Sequence, residues 1–326
     1  MSMTVPSAGS PEYGRGREMN DLRRQLFDYV ALRRSLGYVM KEGDFLLPSF
    51  VAYLEDRNAR HITTELALAW AISPSGVLPI TRQQRLGVVR GFAKYLKTLD
   101  DTTEVPPTDL LPASYSRVTP YLYSDEEIER LMAAARSLSP ELRGLTYATL
   151  IGLLAVSGMR IGEAIRLDRD DVDYRTSLLV VRNSKNEKAR EVPLHATTLE
   201  ALSTYAKIRD RHYAQPSCES FFVSTIGTRL YPACVDKTHR ALVALADLNG
   251  RGSRCRPRIH DLRHSFAVKT LIGWYRDGRD VDACMPLLSK VLGHASPAST
   301  YWYLQAAPEL LALVARQVEP VFGEMP

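Results

Sequence analysis

Six side chains between residues 160 and 303 are of types that could carry out chemistry on a phosphate ester. They are two arginines, a lysine, two histidines and a tyrosine: Arg160, Arg263, Lys185, His260, His294 and Tyr303. Guanidinium groups neutralise the non-bridging oxygens of a phosphodiester through paired, charge-assisted hydrogen bonds. A phenol can attack the phosphorus, and a protonated side chain can supply a proton to the leaving group. Together these groups could cleave a phosphodiester without a metal ion.

Arg160 stands in the segment SGMRIGEAIRL, where a long apolar helix is predicted to end at Ser157-Gly158. The next helix is predicted to begin at Arg160, with Glu163 one turn later, so that the carboxylate can orient the guanidinium. Taken alone, Arg160 would be a surface arginine at a helix start. Its pairing with Glu163 favours an oriented, functional arginine.

The segment HDLRH places His260 and Arg263 on one face of a predicted helix, with His264 four residues after His260. It also resembles the H-E-x-x-H zinc motif, with Asp261 in place of the glutamate. Zinc is the weaker hypothesis, because no clear third ligand follows and the arginines and the tyrosine would be left unexplained. His264 is predicted only to pack and cap within the core.

These segments, together with RNSKNEKAREVPL and LGHASPASTYWYL, resemble the active site of the tyrosine recombinase (phage integrase) family over roughly residues 121–313. The resemblance implies that Lys185, seven positions before Val192, is the general acid for the departing 5′ oxygen. Lys188 is close enough to compete for this role.

The same resemblance implies that His294 bonds the scissile phosphate or the nucleophile. It selects Tyr303, nine positions after His294, as the nucleophile that forms a covalent phosphotyrosine. Tyr301 is the direct competitor. A predicted helix from Pro308 to Val318 either packs on its own domain or, as the family implies, docks into a neighbouring protomer.

For the whole chain the resemblance implies a mainly α fold with a small β-sheet. It comprises an N-terminal helical core-binding (SAM-like) domain and a C-terminal tyrosine-recombinase catalytic domain, forming a C-shaped clamp on DNA. The implied reaction is site-specific cleavage and rejoining of double-stranded DNA at recombination sites, in integration, excision or transposition of a mobile element. A homo-tetramer on DNA, no metal and no cofactor are expected. A type IB topoisomerase and a non-catalytic DNA-binding relative remain as alternatives.

Sequence patterns divide the chain into a disordered tail (1–16), a helical DNA-binding domain (17–104), a Pro-rich linker (105–120) and a catalytic domain (121–326). Four helices are predicted in the first domain, starting near Met19, near Asp44 or Pro48, at Thr63 or Thr64, and at Thr81. The second domain opens with a predicted capping box, Ser124 with Glu127. Two strands, SLLVVR and REVPLH, flank the polar turn that carries Lys185.

The fourth predicted helix carries basic side chains and no acidic one between Thr81 and Leu99: Arg82, Arg85, Arg90, Lys94 and Lys97. On a helical wheel its apolar residues lie on one side, and Arg90, Lys94 and Lys97 lie on another. A solvated surface is the plain alternative. The absence of balancing carboxylates favours contact with DNA phosphates.

Composition and targeting signals agree with this outline. The 326 residues suffice for about two domains, and a net charge of +5 fits a nucleic-acid partner without requiring one. Four cysteines without a C-x-x-C pair predict a reducing compartment. The N-terminus lacks a signal-peptide core, and the apolar stretch 145–159 is too short and broken for a membrane span. We therefore expect a cytoplasmic, DNA-associated protein with no membrane partner.

Overall fold

The structure is a computed structural model, and it describes residues 13–112, 119–182, 189–213, 218–252, 255–294, 296 and 298–306. The chain forms two compact units that divide between Arg117 and Val118, within the predicted linker. None of the helices in the described part of the chain is long and apolar enough to cross a membrane.

In the described residues 13–112, the first unit contains four helices: α1 (Tyr13–Ser35), α2 (Lys41–Glu55), α3 (Thr64–Ile72) and α4 (Pro79–Lys97). Their apolar faces meet in one core, which includes Leu47, Phe50, Leu54, Trp70, Leu86, Val89 and Phe92. α3 begins as predicted, because the hydroxyl of its N-cap Thr63 accepts the Leu66 backbone N–H at 3.2 Å. The four-helix expectation for this part of the chain is confirmed.

Three helix starts differ from the prediction, and α4 differs least, because it begins at Pro79 instead of Thr81. α1 begins at Tyr13, so residues 13–16 are helical instead of disordered. Extending a helix that has already formed costs little, because nucleation is the unfavourable step. α2 begins at Lys41 and runs through Pro48 instead of starting or breaking there. Pro48 is exposed and has no N–H to donate to the Asp44 carbonyl, and α2 continues without that hydrogen bond.

The segment after α4 is held by the first unit. Val105, Leu110 and Leu111 pack against its core. The Arg90 guanidinium donates hydrogen bonds to the carbonyl oxygens of Pro106 at 2.7 Å and Pro107 at 2.6 Å. The beginning of the predicted linker is therefore anchored to α4.

In its described residues, the second unit is mainly helical with one small sheet, as predicted. Its helices are α5 (Asp125–Arg136), α6 (Glu141–Ser157), α7 (Ile161–Arg166), α8 (Ala196–His212), α9 (Pro232–Leu245), α10 (Asp261–Arg276), α11 (Val281–Leu292) and α12 (Ala298–Ala306). The strands are β1 (Val172–Asp173), β2 (Leu178–Val181) and β3 (Arg190–Pro193). They pair antiparallel in the order β1-β2-β3, with Leu179 opposite Val192.

The buried helix α6 organises this unit, because α5, α8 and α10 all pack against it. The predicted capping box is present at the start of α5, where the Ser124 hydroxyl accepts the Glu127 N–H and Glu127 Oε2 accepts the Ser124 N–H. A smaller apolar cluster joins α10, α11 and α12 and includes Leu271, Met285 and Tyr303. This cluster attaches α12 to the unit.

A buried histidine in this unit makes stability depend on pH. His239 on α9 lies 3.3 Å from the Tyr123 hydroxyl, and burial lowers its pKa from the ordinary value of 6.5 to about 4. Above pH 6.5 neither the folded nor the unfolded state binds a proton at this site, so the residue makes no contribution to the pH dependence. Between pH 6.5 and about 4 only the unfolded chain is protonated, so stability falls as the pH falls.

We expect His239→Gln to reduce this pH dependence while keeping a polar group beside Tyr123. At pH 5 the histidine should lower the free energy of unfolding by about 2 kcal/mol. Denaturant unfolding measures the free energy of unfolding at pH 7 and at pH 5. The decrease from pH 7 to pH 5 should be about 2 kcal/mol larger in the native protein than in the variant. Equal losses in the two proteins would contradict this role.

Candidate active site

The turn between α6 and α7 fixes the backbone of Arg160. α6 ends at Gly158, whose φ of +61° lies in the left-handed region. A Cβ at this position would collide with the Phe266 ring, so the turn requires glycine. Arg160 is then the N-cap of α7, and its backbone N–H donates to Glu163 Oε2 at 2.9 Å.

The Arg160 side chain is oriented by two acceptors. Nη1 donates to Glu163 Oε1 at 2.9 Å, and Nη2 donates to the Gly293 carbonyl at 3.1 Å. The side chain is still 37% exposed, so part of the guanidinium remains available to a ligand. The ion pair with Glu163 that the sequence suggested is present.

Arg263 on α10 is a buried cation whose charge acts on the Tyr303 phenol. Only 2% of the residue is exposed, and Nη1 donates to the Gly158 carbonyl at 2.8 Å. Its Nη2 is buried and has no hydrogen-bond partner among the described residues. Burial and the nearby Arg160 charge lower its pKa to about 10, so the group is still cationic at neutral pH. An unpartnered buried donor on a cation is costly, and an anion would satisfy it.

His294 follows the left-handed glycine that ends α11, Gly293 with φ +66°. Its Nδ1 lies 2.7 Å from the Thr300 hydroxyl, and its ring stacks on the Tyr303 ring at a centroid distance of 6.0 Å. Burial, followed by the charges of Arg263 and Arg160, lowers the pKa of His294 to about 4. The imidazole is therefore neutral at pH 7.

Tyr303, and not Tyr301, belongs to this cluster. Tyr303 on α12 is 3% exposed, and burial raises the pKa of its phenol while the charges of Arg263 and Arg160 oppose that rise. Tyr301 is 41% exposed, and its hydroxyl donates to Asp282 at 3.4 Å. The two competing tyrosines of α12 thus lie in different surroundings, Tyr303 in the buried cluster and Tyr301 at the surface.

His260 and His264 lie at the start of α10, and His264 contacts the Tyr303 ring. Burial and the Arg263 charge lower the pKa of His260, and burial followed by the His260 charge lowers that of His264 to about 3. The His264 ring centroid is 4.9 Å from that of His260 and 5.4 Å from that of Tyr303. His264 does pack, as predicted, but it packs within the site. Among the described residues, no third side chain joins the two histidines in a set suited to a metal ion.

Arg190 is a site residue that the sequence reasoning missed. Its Nη1 and Nη2 donate to Glu163 Oε1 and Oε2 at 3.1 and 2.7 Å, and its Nε donates to the Val291 carbonyl at 2.9 Å. Burial raises the pKa of Glu163, but the hydrogen bonds and charges of both arginines outweigh it and hold that pKa at about 2. Strand alternation is a usable signal, because Arg190 shares the inward face of β3 with Val192.

The other predicted residues lie outside this cluster or outside the described part of the chain. Lys185 and Lys188 lie outside the described residues. On α4, Arg85 Nη2 donates to the Trp70 carbonyl at 2.9 Å, and Lys97 donates to the Asp101 and Thr103 carbonyls.

Arg90 binds the segment after α4. Three of the five side chains predicted to contact DNA, those of Arg85, Arg90 and Lys97, therefore donate to backbone carbonyls of their own unit. Arg82 has a buried Nε without a partner among the described residues. Lys94 is exposed and makes no hydrogen bond or ion pair within the described part of the chain.

The family of the chain follows from comparisons with known proteins. The profile of the phage integrase family matches residues 122–309. "Putative integrase/recombinase y4rB" of Sinorhizobium fredii (strain NBRC 101917 / NGR234) is 42% identical over 307 residues, covering 92% of this chain and 98% of that protein. Tyrosine recombinase XerC of Azotobacter vinelandii (strain DJ / ATCC BAA-1303) is 29% identical over 235 residues, with 72% of each chain covered.

Among solved structures, the Tn1549 transposon integrase in complex with transposon right end DNA has a TM-score of 0.64 at 16% identity, covering 91% of this chain and 98% of that one. At this identity the likeness shows the fold. The family profile spans more than half of the chain, and the match to y4rB extends over nearly all of it. The chain therefore belongs to the phage integrase family, the tyrosine recombinases.

Proposed function

We propose that this protein is a site-specific DNA recombinase that cuts and rejoins double-stranded DNA through a 3′-phosphotyrosine on Tyr303. One observation carries the proposal: a buried phenol lies among two guanidinium groups, one of which has a buried donor without a partner in the described part of the chain. Membership of the phage integrase family and the likeness to a transposon integrase in complex with DNA support DNA as the substrate.

The two arginines would bind the scissile phosphate. Arg263 Nη2 would donate to one non-bridging oxygen, and the exposed part of the Arg160 guanidinium to the other. Each charge-assisted bond contributes on the order of 1.5–3 kcal/mol. The role of the neutral His294 depends on its contact with Thr300: Nε2 would donate to the phosphate if Nδ1 accepts from the Thr300 hydroxyl, and would accept a proton if Nδ1 donates to it.

Cleavage would form a bond from Tyr303 Oη to phosphorus and break the bond from phosphorus to the 5′ oxygen. The phenolic proton would pass to a neutral imidazole, for which His260 and His294 are the candidates. Lys185 would give a proton to the departing 5′ oxygen. Rejoining reverses these steps with a 5′ hydroxyl from another strand, so the phosphotyrosine conserves the energy of the broken bond.

We further propose that strand exchange takes place in a homo-tetramer on specific recombination sites, during integration, excision or transposition of a mobile element. This assembly is expected from the resemblance to the family. The C-terminal helix predicted to dock between protomers lies outside the described residues.

Covalent capture from a randomised library tests the proposed function and identifies the target sequence at the same time. The protein is incubated with a duplex library that carries a randomised stretch and a nick in one strand. The short 5′-hydroxyl fragment diffuses away after cleavage, so the protein stays attached. We expect complexes that resist SDS and converge on a common sequence. No adduct above that of heat-denatured protein would contradict the proposal.

A supercoiled plasmid that carries two copies of the captured sequence separates recombination from topoisomerase activity. We expect deletion or inversion products between the two copies. Relaxation of the plasmid without such products would favour a type IB topoisomerase instead.

The exposed cation on α4 gives a prediction for DNA affinity. Lys94→Gln should reduce the log–log salt dependence of binding to the captured duplex by about 0.9, the value for one phosphate contact. The melting temperature should be unchanged, because Lys94 makes no hydrogen bond or ion pair within the described part of the chain. Titrations at several salt concentrations measure the slope. An unaltered slope would make Lys94 part of a solvated surface.

Arg90→Gln is the matched comparison on the same helix. It should lower the melting temperature, because two hydrogen bonds to the Pro106 and Pro107 carbonyls are lost.

A further inference from the structure

Arg190 is an enclosed cation beside the site, and the chemistry described above does not use it. The residue is 8% exposed, and three of its nitrogens already donate to protein oxygens. The guanidinium also lies against Gly293, where an added Cβ would come within 2.8 Å of its Nη1. Arg190 is thus positioned to act on its neighbours and not on DNA.

Two arginines share the single carboxylate of Glu163. Oε1 accepts from Nη1 of both Arg160 and Arg190, and Oε2 accepts from Arg190 Nη2 and from the Arg160 backbone. The orientation of Arg160 therefore depends on Glu163, and the orientation of Glu163 depends on Arg190. The bond from Arg190 Nε to the Val291 carbonyl extends this support to the end of α11.

We propose that Arg190 is a positioning residue for strand cleavage, which holds Glu163 and, through it, the phosphate-binding guanidinium of Arg160. Its contact with the end of α11 also supports Gly293, whose carbonyl binds Arg160 and which precedes His294. β3 thereby links α7 and α11 at the site. This inference rests on the proposed function.

The consequence of removing Arg190 follows from charge. Glu163 would remain buried with Arg160 as its only side-chain partner among the described residues. Arg160 would then be drawn toward the carboxylate and away from a ligand. We expect Arg190→Met to slow cleavage by on the order of 10–100-fold, the range for residues that orient ligands in metal sites. DNA affinity should change by less than about twofold, because Arg190 makes no contact with the phosphate.

The experiment measures single-turnover cleavage of the captured, nicked duplex at saturating protein, beside DNA affinity and a thermal melt. Arg190→Lys should recover only part of the rate, because an ammonium cannot make the forked contact with Glu163. Arg209→Met is the control. Arg209 is a buried arginine on α8 that binds Asp210 and the Phe221 carbonyl, so its loss should lower the melting temperature without slowing cleavage.

A double variant distinguishes positioning through Glu163 from a general structural role. Glu163→Gln removes the buried charge, and adding Arg190→Met to it should slow cleavage further by no more than about twofold. If the double variant instead showed the product of the two single reductions in cleavage rate, the proposal would be overturned. A native cleavage rate in Arg190→Met would also overturn it. If Arg190→Met fails to fold, comparison of the double variant with Glu163→Gln still tests the proposal. The double variant lacks both the Glu163 carboxylate and the Arg190 guanidinium, so neither of these charges is left buried without its partner.

Failure of the proposed function itself would look different. In that case the native protein would form no adduct with any duplex in the library. An adduct formed by the native protein and, at equal rate, by Arg190→Met would leave the proposed function intact and overturn only the role of Arg190.

Discussion

Tyr303→Phe should bind the captured duplex with near-native affinity and form no covalent adduct. The substitution keeps the ring, which packs beside His294 and His264, and removes only the nucleophilic oxygen. Loss of a nucleophile in other covalent enzymes slows the reaction by on the order of 10⁴-fold or more. An SDS-resistant adduct assay measures cleavage, and a gel shift measures binding.

Tyr301→Phe is the matched control on the same helix. Its hydroxyl contacts Asp282 at the surface, so its removal should leave both cleavage and binding near native levels. If Tyr301→Phe loses the adduct while Tyr303→Phe retains it, the nucleophile has been assigned to the wrong tyrosine.

Arg263→Ala should reduce the rate of cleavage by roughly 10²–10³-fold, the effect of removing one transition-state donor. Two losses combine in this variant. The phosphate loses the donor Nη2, and Tyr303 loses a charge that opposes the rise of its pKa. The rate is measured as single-turnover adduct formation on the captured duplex.

Arg263→Lys should recover little of this activity. One ammonium cannot hold the Gly158 carbonyl and also present a second planar donor to the phosphate. A variant that cleaves at the native rate, as either Ala or Lys, would remove Arg263 from the phosphate site.

Much of the fold could be predicted from local signals. The capping box of Ser124 and Glu127, the end of α6 at Gly158 and the hairpin of β2 and β3 each depend on residues close together in sequence. Pro48 was misleading, because α2 continues through it while the flanking Leu47 and Phe50 pack into the core of the first unit.

Long-range contacts could not be predicted in the same way. Arg190 reaches Glu163 across 27 positions and Val291 across 101, and no local pattern shows that these elements meet. The basic residues of α4 show the same limitation. Their number suggested contact with DNA, but Arg90 binds the carbonyls of Pro106 and Pro107. These carbonyls come within reach only because the segment after the helix packs back against it.

The central claim is that the phenolic oxygen of Tyr303 becomes linked to the 3′ phosphate of cleaved DNA. Nuclease and protease digestion of the captured adduct, followed by mass spectrometry of the peptides, tests it most directly. We expect a nucleotide phosphate on the peptide that spans Tyr303, with fragment ions that place it on that residue. A nucleotide on Tyr301, or on any other side chain, would contradict this account.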